Sequence, residues 1–168
     1  MAGPHTLAET ERQVFARLGK LPLDYESMAV ASNLFRAANA VRNHFERSVL
    51  AEHNLSWTAF VVLWVTWIWQ PIETRQIALE GGFSKATLTG VLSTLEGRGW
   101  LTRSRSAADG RLVEVNLTEA GVELMNALFP AFNEEESRVV APVSAARRAE
   151  LAEMLRAVTA GVERHPAG

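Results

Sequence analysis

Residues 83–121, which read FSKATLTGVLSTLEGRGWLTRSRSAADGRLVEVNLTEAG, decide how this chain folds. Ser84 is a favoured helix N-cap residue, and apolar residues follow it at helical spacing as far as Arg98. Gly99 stands just beyond, at the position where a glycine commonly ends a helix. The stretch therefore predicts a short helix with one apolar face and one polar face.

A β-hairpin is expected directly after this helix. The segments 101–105 and 112–117 alternate between apolar and polar residues, and the polar stretch 106–110 between them contains Asp-Gly. Another short helix is expected earlier in the chain, at 73–80, and the glycine pair 81–82 separates it from the helix that Ser84 begins. Two short helices followed by a hairpin indicate a winged helix-turn-helix, in which the hairpin is the wing.

Longer helices are expected on both sides of this unit. They are predicted at 7–19, from Asp24 to about His53, at 57–69, from Glu119 with Pro130 inside, and after Ser144. The fold class is thus mainly α with a small β-wing. We expect three parts: N-terminal helices at 1–53, the winged helix-turn-helix at 54–118 and C-terminal helices at 119–168. The last helix carries the apolar stripe Leu151, Leu155, Val158 and Val162, which a small lobe can hardly cover, so the terminal helices are predicted to form a dimer interface.

Composition excludes several classes of function. The chain has 168 residues, a net charge of −2, no cysteine and four scattered histidines, so neither a metal site nor a cofactor is expected. It has no nucleophile elbow and no glycine-rich phosphate loop, so the sequence does not predict an enzyme. There is no apolar run of membrane-spanning length and no secretion signal, so we expect a cytoplasmic protein without membrane contact.

Basic charge is concentrated in the helix and hairpin. Residues 83–111 carry a net charge of +3, whereas the rest of the chain carries −5. The N-terminal end of a helix can read bases in the major groove, and its free N–H groups favour phosphate. Cations in a wing suit the neighbouring DNA backbone or the narrow minor groove. The predicted DNA contacts are Ser84, Lys85, Thr87 and Thr89 on the helix, and Arg103, Arg105 and Arg111 in the wing.

The chain resembles the MarR family of bacterial regulators over about residues 28–162. The resemblance rests on Leu-Glu-Gly-Arg-Gly-Trp-Leu at 95–101, on Asp-Gly-Arg at 109–111 and on Leu-Thr-Glu-Ala-Gly at 117–121. It implies a homodimer built by the terminal helices. It also implies that Asp109 orients Arg111 for the minor groove, and that a phenolic or other aromatic effector binds in a crevice between the two regions.

Two departures from the resemblance limit what it implies. Gly90 stands where recognition helices of the family commonly carry an arginine, so no operator sequence is carried over. The extra N-terminal helix and residues 141–144 resemble the urate-responsive subgroup. Its effector-contacting positions fall on Phe15, Val61 and Ser93 here, and urate is therefore not predicted.

An effector pocket is predicted from aromatic residues on the helix at 57–69. Trp57, Phe60 and Trp64 share one face by their i, i+3, i+7 spacing, and tryptophan offers both apolar area and a polar tip. Asn39 and His44 of the long helix are the candidate polar contacts. The ordinary alternative for each of these residues is a place in the core or on the surface.

Taken together, these patterns predict a homodimeric transcriptional regulator that binds pseudo-palindromic operator DNA and is released by a small aromatic effector. Two alternatives remain open at this point. One is a DNA-binding protein without an effector, and the other is a protein–protein adaptor that kept the winged fold and lost DNA binding. The sequence does not distinguish a repressor from an activator.

Overall fold

The computed structural model describes residues 5–106 and 109–164. It shows a mainly helical chain with a small sheet, and it confirms the winged helix-turn-helix. The helices are α1 (Leu7–Leu18), α2 (Tyr25–Arg47), a 3₁₀ turn (Ala51–His53), α3 (Trp57–Trp69), α4 (Thr74–Gly81), α5 (Lys85–Gly97), α6 (Glu119–Val139) and α7 (Ala145–Arg164). The strands are β1 (Ile72–Glu73), β2 (Leu101–Arg105) and β3 (Val113–Leu117).

Side-chain caps fix where the helices around the sheet begin. The hydroxyls of Ser56, Ser84 and Thr118 each accept a hydrogen bond from the backbone N–H three residues later, at 3.2, 3.1 and 3.1 Å. A cap of this kind satisfies one N–H that the first helical turn leaves without a partner. The predicted starts of α3, α5 and α6 are confirmed.

The end of α2 differs from the expectation. The helix stops at Arg47, and a 3₁₀ turn and Asn54, with a φ of 51°, carry the chain into α3. The predicted helix to about His53 was therefore wrong. Val49 and Leu50 are buried beyond the helix end, so the apolar pattern continues through a reversal that periodicity alone does not reveal.

The sheet has three antiparallel strands in the order β1-β3-β2. Leu101 pairs with Leu117 and Arg105 with Val113, which confirms the hairpin, although β3 begins at Val113 rather than at Leu112. Strand β1 was not predicted, because two residues are too few to show alternation; Ile72 pairs with Val115. Of the predicted turn 106–110, Ala107 and Ala108 lie outside the described residues.

The core lies where α2, α3, α5, α6 and the sheet meet. Its fully buried members include Leu63, Leu95, Val115 and Leu128. Helices α1 and α7 contribute no buried residue. Within the described ranges, no helix combines the length and the apolar character that crossing a membrane requires.

Gly121 allows the start of α6 to lie directly on the start of β2. A Cβ at this position would stand 2.0 Å from the carbonyl oxygen of Trp100. The same oxygen accepts a hydrogen bond from the N–H of Thr118 at 3.1 Å. The Leu-Thr-Glu-Ala-Gly segment thus fixes how α6 leaves the sheet.

Candidate nucleic-acid interface

The recognition helix α5 presents a polar face to solvent. Leu88, Leu92 and Leu95 are buried, whereas Ser84, Lys85, Thr87 and Thr89 are all exposed. Ser84 caps the helix and shares a second hydrogen bond with the Thr87 hydroxyl at 2.8 Å. The Thr89 hydroxyl donates to the carbonyl of Lys85 at 2.8 Å, so its oxygen can still accept a hydrogen bond from solvent or a ligand.

The end of the wing holds an arginine in a fixed orientation. The Asp109 carboxylate accepts three hydrogen bonds from Arg111: one from its backbone N–H at 3.0 Å and two from its guanidinium at 3.2 and 3.3 Å. These bonds from Arg111 lower the pKa of Asp109 from its ordinary value. The Arg111 side chain is nevertheless 91% exposed. The geometry that the resemblance implied for this pair is present.

Arg103 and Arg105 have different surroundings although both lie on β2. The Nε and one terminal nitrogen of Arg103 both donate to Oε2 of Glu96. The backbone N–H of Arg103 donates to Oε1 of the same carboxylate at 3.2 Å. The pKa of Glu96 is lowered, chiefly by these side-chain hydrogen bonds. Arg105 is exposed, farther along the strand toward the hairpin turn. Arg103 therefore joins α5 to the wing, and Arg105 is the more available cation.

A groove of about 580 Å³ lies between α4, α5 and the wing. Lys85, Thr89 and Arg103 line it together with Arg75, which sequence reasoning did not single out. Arg75 stands in the first turn of α4, where its Nε donates to Glu73 at 2.7 Å. The sequence could have indicated Arg75 as a cation at the start of the short helix predicted at 73–80, two residues after Glu73.

The predicted effector face is packed against α6. Phe60 stacks on Phe132 with 4.2 Å between ring centroids, and Trp64 stacks on Phe129 at 4.6 Å. Trp57 lies 6.3 Å from the ring of Phe132. Phe60 is buried, whereas both tryptophans keep one part of their surface open to solvent.

The two polar candidates lie in separate local networks on α2. The Asn39 amide donates to the carbonyl of Phe35 at 3.0 Å and accepts from Arg42 at 3.1 Å. His44 Nε2 donates to Glu135 on α6 at 3.0 Å, and the pKa of Glu135 is lowered, first by this hydrogen bond and then by Arg138. The structure brings neither residue into hydrogen-bond contact with the tryptophans among its described contacts.

Comparison with known proteins agrees with this geometry. The MarR family model matches residues 55–113. The HTH-type transcriptional regulator YwaE of Bacillus subtilis (strain 168) is 36% identical over 155 residues, which are 90% of this chain and 91% of that protein.

Two solved structures have the same fold. The transcriptional regulator PA4135 is 26% identical with a TM-score of 0.70, over 77% of this chain and 94% of that one. BpsR of Bordetella bronchiseptica is 25% identical with a TM-score of 0.70, over 77% of this chain and 92% of that one. The structure described for BpsR concerns the regulation of its DNA binding by 6-hydroxynicotinic acid.

The fold, the exposed recognition helix and these relatives define a DNA-binding transcriptional regulator of the winged helix-turn-helix class, and not an enzyme. Within that class, the chain belongs to the MarR family.

Proposed function

We propose that the protein binds two-fold symmetric operator DNA as a homodimer in the cytoplasm, with α5 in the major groove and Arg111 in the minor groove. The orientation of Arg111 by Asp109 carries the proposal. A guanidinium that is already held by a carboxylate and 91% exposed loses little conformational entropy when it enters a groove. The negative potential of a narrow minor groove attracts such a cation.

The recognition helix supplies the sequence-reading part. The N-terminal turn of α5 points free N–H groups and Lys85 outward, which suits backbone phosphate. Thr87 and Thr89 are short enough to approach base edges, and a hydroxyl can donate or accept there. Arg105 adds a cation beside the adjacent backbone.

The terminal helices support the dimer. Helix α7 has no buried residue, although its stripe from Leu151 to Val162 is apolar. A groove between α2 and α7 is lined by Val30, Phe35 and Val158. Covering these faces with a second copy gives the outer part of α2 and α7 their role.

An effector of aromatic, weakly acidic chemistry is the second part of the proposal. It binds beside the open edges of Trp57 and Trp64, with buried Phe60 as the floor and with Asn39 and His44 of α2 as the proposed polar contacts. This seam joins α2, which reaches into the dimer region, to α3 and α6 of the DNA-binding lobe. Regulation of the related BpsR by 6-hydroxynicotinic acid supports this ligand class. Binding there favours a dimer state whose recognition helices no longer match successive major grooves, and so releases DNA.

Substitutions in the wing test the DNA contacts. Arg111→Ala is expected to weaken operator binding about 10- to 100-fold and to lower the log–log salt slope by about one. Thermal stability is expected to stay unchanged, because the Arg111 side chain is 91% exposed and its described hydrogen bonds are with Asp109. Arg17→Ala, a cation lost from α1, serves as the control with wild-type affinity and slope. Wild-type affinity in the Arg111 variant contradicts the wing assignment.

Intrinsic fluorescence tests the effector. Hydroxybenzoates and hydroxynicotinates are titrated into the free protein and into its operator complex, and reciprocal linkage requires ligand and DNA to weaken each other by the same factor. Trp64→Phe is expected to weaken the ligand, whereas Trp69→Phe, on the exposed end of the same helix, is the matched control. A ligand affinity that DNA leaves unchanged contradicts effector control.

A further inference from the structure

Arg98, the residue that ends α5, reaches across to the loop before α3. Its two terminal nitrogens donate to successive backbone carbonyls, to Asn54 at 2.9 Å and to His53 at 2.8 Å. Its guanidinium carbon stands 3.6 Å from the centre of the Trp100 ring. The guanidinium is thus held by two carbonyls at its edge and by an indole on its face.

This arrangement is directional in a way that apolar packing is not. A planar guanidinium offers a rigid fork of donors, and both carbonyls lie at the C-terminal end of the 3₁₀ turn, where partial negative charge accumulates. Asn54 has left-handed backbone torsions, with a φ of 51°, which turn the chain at this point. The backbone of Trp100 is held in turn by two hydrogen bonds of 3.1 Å. Its backbone N–H donates to the carbonyl of Leu95, and its carbonyl accepts from the backbone N–H of Thr118.

The two hydrogen bonds of Arg98, which we call the Arg98 fork, join two parts of the molecule whose relative position matters for DNA recognition. On one side is α5, whose last turn ends at Arg98 through a hydrogen bond from the Arg98 N–H to Thr94 at 3.1 Å. On the other side is the junction between α2 and α3, formed by the 3₁₀ turn and Asn54. The proposed dimer is built on α2, so this junction relates the recognition helix to the two-fold axis.

A directional contact matters for helix α5 because its buried face is apolar. Leu88, Leu92 and Leu95 hold it by non-directional apolar packing. Gly90 and Gly97 have open space where a side chain would stand, and each lowers the helix propensity. The Arg98 fork and the Glu96–Arg103 pair are the charged contacts at the C-terminal end of α5, and of these two only the fork reaches the α2 junction.

We propose that Arg98 is a positioning residue for operator recognition: it fixes the distance between the two recognition helices of the dimer without touching DNA. This inference rests on the proposed symmetric dimer. It predicts that loss of the fork relaxes the spacing at which two half-sites are accepted. One inserted base pair moves a half-site by about 3.4 Å along the duplex, against a normal centre-to-centre distance of about 34–36 Å.

The experiment uses an operator selected in vitro with the full-length protein, together with versions that carry one base pair more or less between the half-sites. Affinity, salt slope and thermal unfolding are measured for wild type, Arg98→Ala, Arg98→Lys and the control Arg47→Ala, which removes a cation from the last turn of α2. Arg98→Ala is expected to lower the preference for the native spacing about tenfold, as loss of two charge-assisted bonds allows, with an unchanged salt slope. Arg98→Lys keeps the positive charge but replaces the planar guanidinium by a compact ammonium, and it restores part of the preference. Arg47→Ala keeps the wild-type preference.

Each other outcome overturns the inference in its own way. A salt slope that falls by about 0.9 makes Arg98 a phosphate contact instead. A lower unfolding temperature with an unchanged spacing preference makes the fork purely structural, and Arg98→Gln decides the same question if the alanine variant does not fold. A wild-type protein that shows no spacing preference overturns the symmetric dimer as well, whereas a wild-type preference that every Arg98 variant retains overturns this inference alone.

Discussion

Two regions of the molecule differ in how they bury apolar side chains. One is the DNA-binding lobe, residues 45–132, and the other consists of the terminal helices, namely α1, the first part of α2 and α7. Among the described residues, every buried apolar side chain lies in the lobe, from Phe45 to Phe132. The terminal helices carry regular apolar stripes as well, yet α1 and α7 bury nothing in the single chain. An amphipathic pattern therefore predicts that an apolar face will be covered. Whether the same chain covers that face is seen only in the structure.

The difference also separates two kinds of stability. The lobe has a core of its own, with side-chain caps at the starts of α3, α5 and α6 and a sheet whose strands are paired, so its folding depends on contacts within one chain. In the proposed dimer the terminal helices gain their burial from a partner, so we expect their order to depend on protein concentration. Four substitution experiments test this division.

The largest effect is expected from charge in the α7 stripe. Leu155→Glu together with Val158→Glu places two carboxylates on the face that we assign to the dimer, where burial leaves them unpaired. Sedimentation is expected to show a monomer, and operator affinity falls about 100-fold or more because the second half-site no longer adds to binding. Ala157→Glu adds a similar charge away from the stripe and is expected to leave the dimer intact. A dimer that survives both stripe charges contradicts the assignment of these helices.

The same substitution at two phenylalanines separates the two regions. Phe132 is 4% exposed, stacks on Phe60 and packs at a tilt against Phe45, whereas Phe35 on α2 is 72% exposed. Phe132→Ala is expected to lower the free energy of unfolding by about 3–5 kcal/mol at every protein concentration. Phe35→Ala is expected to weaken the dimer, so its effect on urea unfolding decreases as the protein is diluted. Equal, concentration-independent losses would show that the terminal helices do not depend on a partner.

Local signals made most of the lobe predictable from sequence. The start of α3 at Ser56, the start of α5 at Ser84 and the hairpin followed from caps and alternation, which act over a few residues. The end of α2 and the short strand β1 were missed. At the end of α2 the apolar pattern was correct but the chain changed direction within it, and direction is set by long-range packing. Strand β1 has only two residues, which are too few to show alternation.

The candidate site shows the same limit. Arg103 and Arg105 are indistinguishable by spacing, since both occupy alternate positions of β2, and only the carboxylate of Glu96 on α5 separates them. The tryptophan face of α3 was recognised, but Phe129 and Phe132, which cover it, lie about seventy residues later in the chain. The DNA and effector contacts themselves remain proposals.

A matched pair of glycine substitutions compares the inside and the outside of the lobe. Gly121→Ala brings a methyl group to 2.0 Å from the Trp100 carbonyl oxygen, and Gly90→Ala meets open space on the exposed face of α5. The first is expected to lower the free energy of unfolding by about 1–3 kcal/mol through overpacking. The second is expected to raise it by about 0.5–1 kcal/mol, because alanine favours the helix. Thermal or urea unfolding measures both, and a destabilised Gly90→Ala would mean that this face is already covered.

The smallest effect is expected at the polar boundary between α2 and the lobe, where Glu135 on α6 accepts from His44 at 3.0 Å and from Arg138. Because the His44 hydrogen bond lowers the pKa of Glu135, this carboxylate stabilises the fold above its unfolded pKa of about 4.3. That contribution is lost as the pH falls through the lower pKa of the folded state.

Glu135→Gln is therefore expected to lower stability near neutral pH and to make the decline on acidification less steep. The pKa values of Asp24, Glu96 and Asp109 are also lowered, so these groups contribute to the pH dependence as well. The measured quantity is therefore the difference from Glu134→Gln, which removes the same charge from the adjacent, more exposed position. Urea unfolding between pH 3 and pH 7 gives both curves. If the two glutamine variants have parallel curves, the contact between His44 and Glu135 does not join the long helix to the lobe in solution.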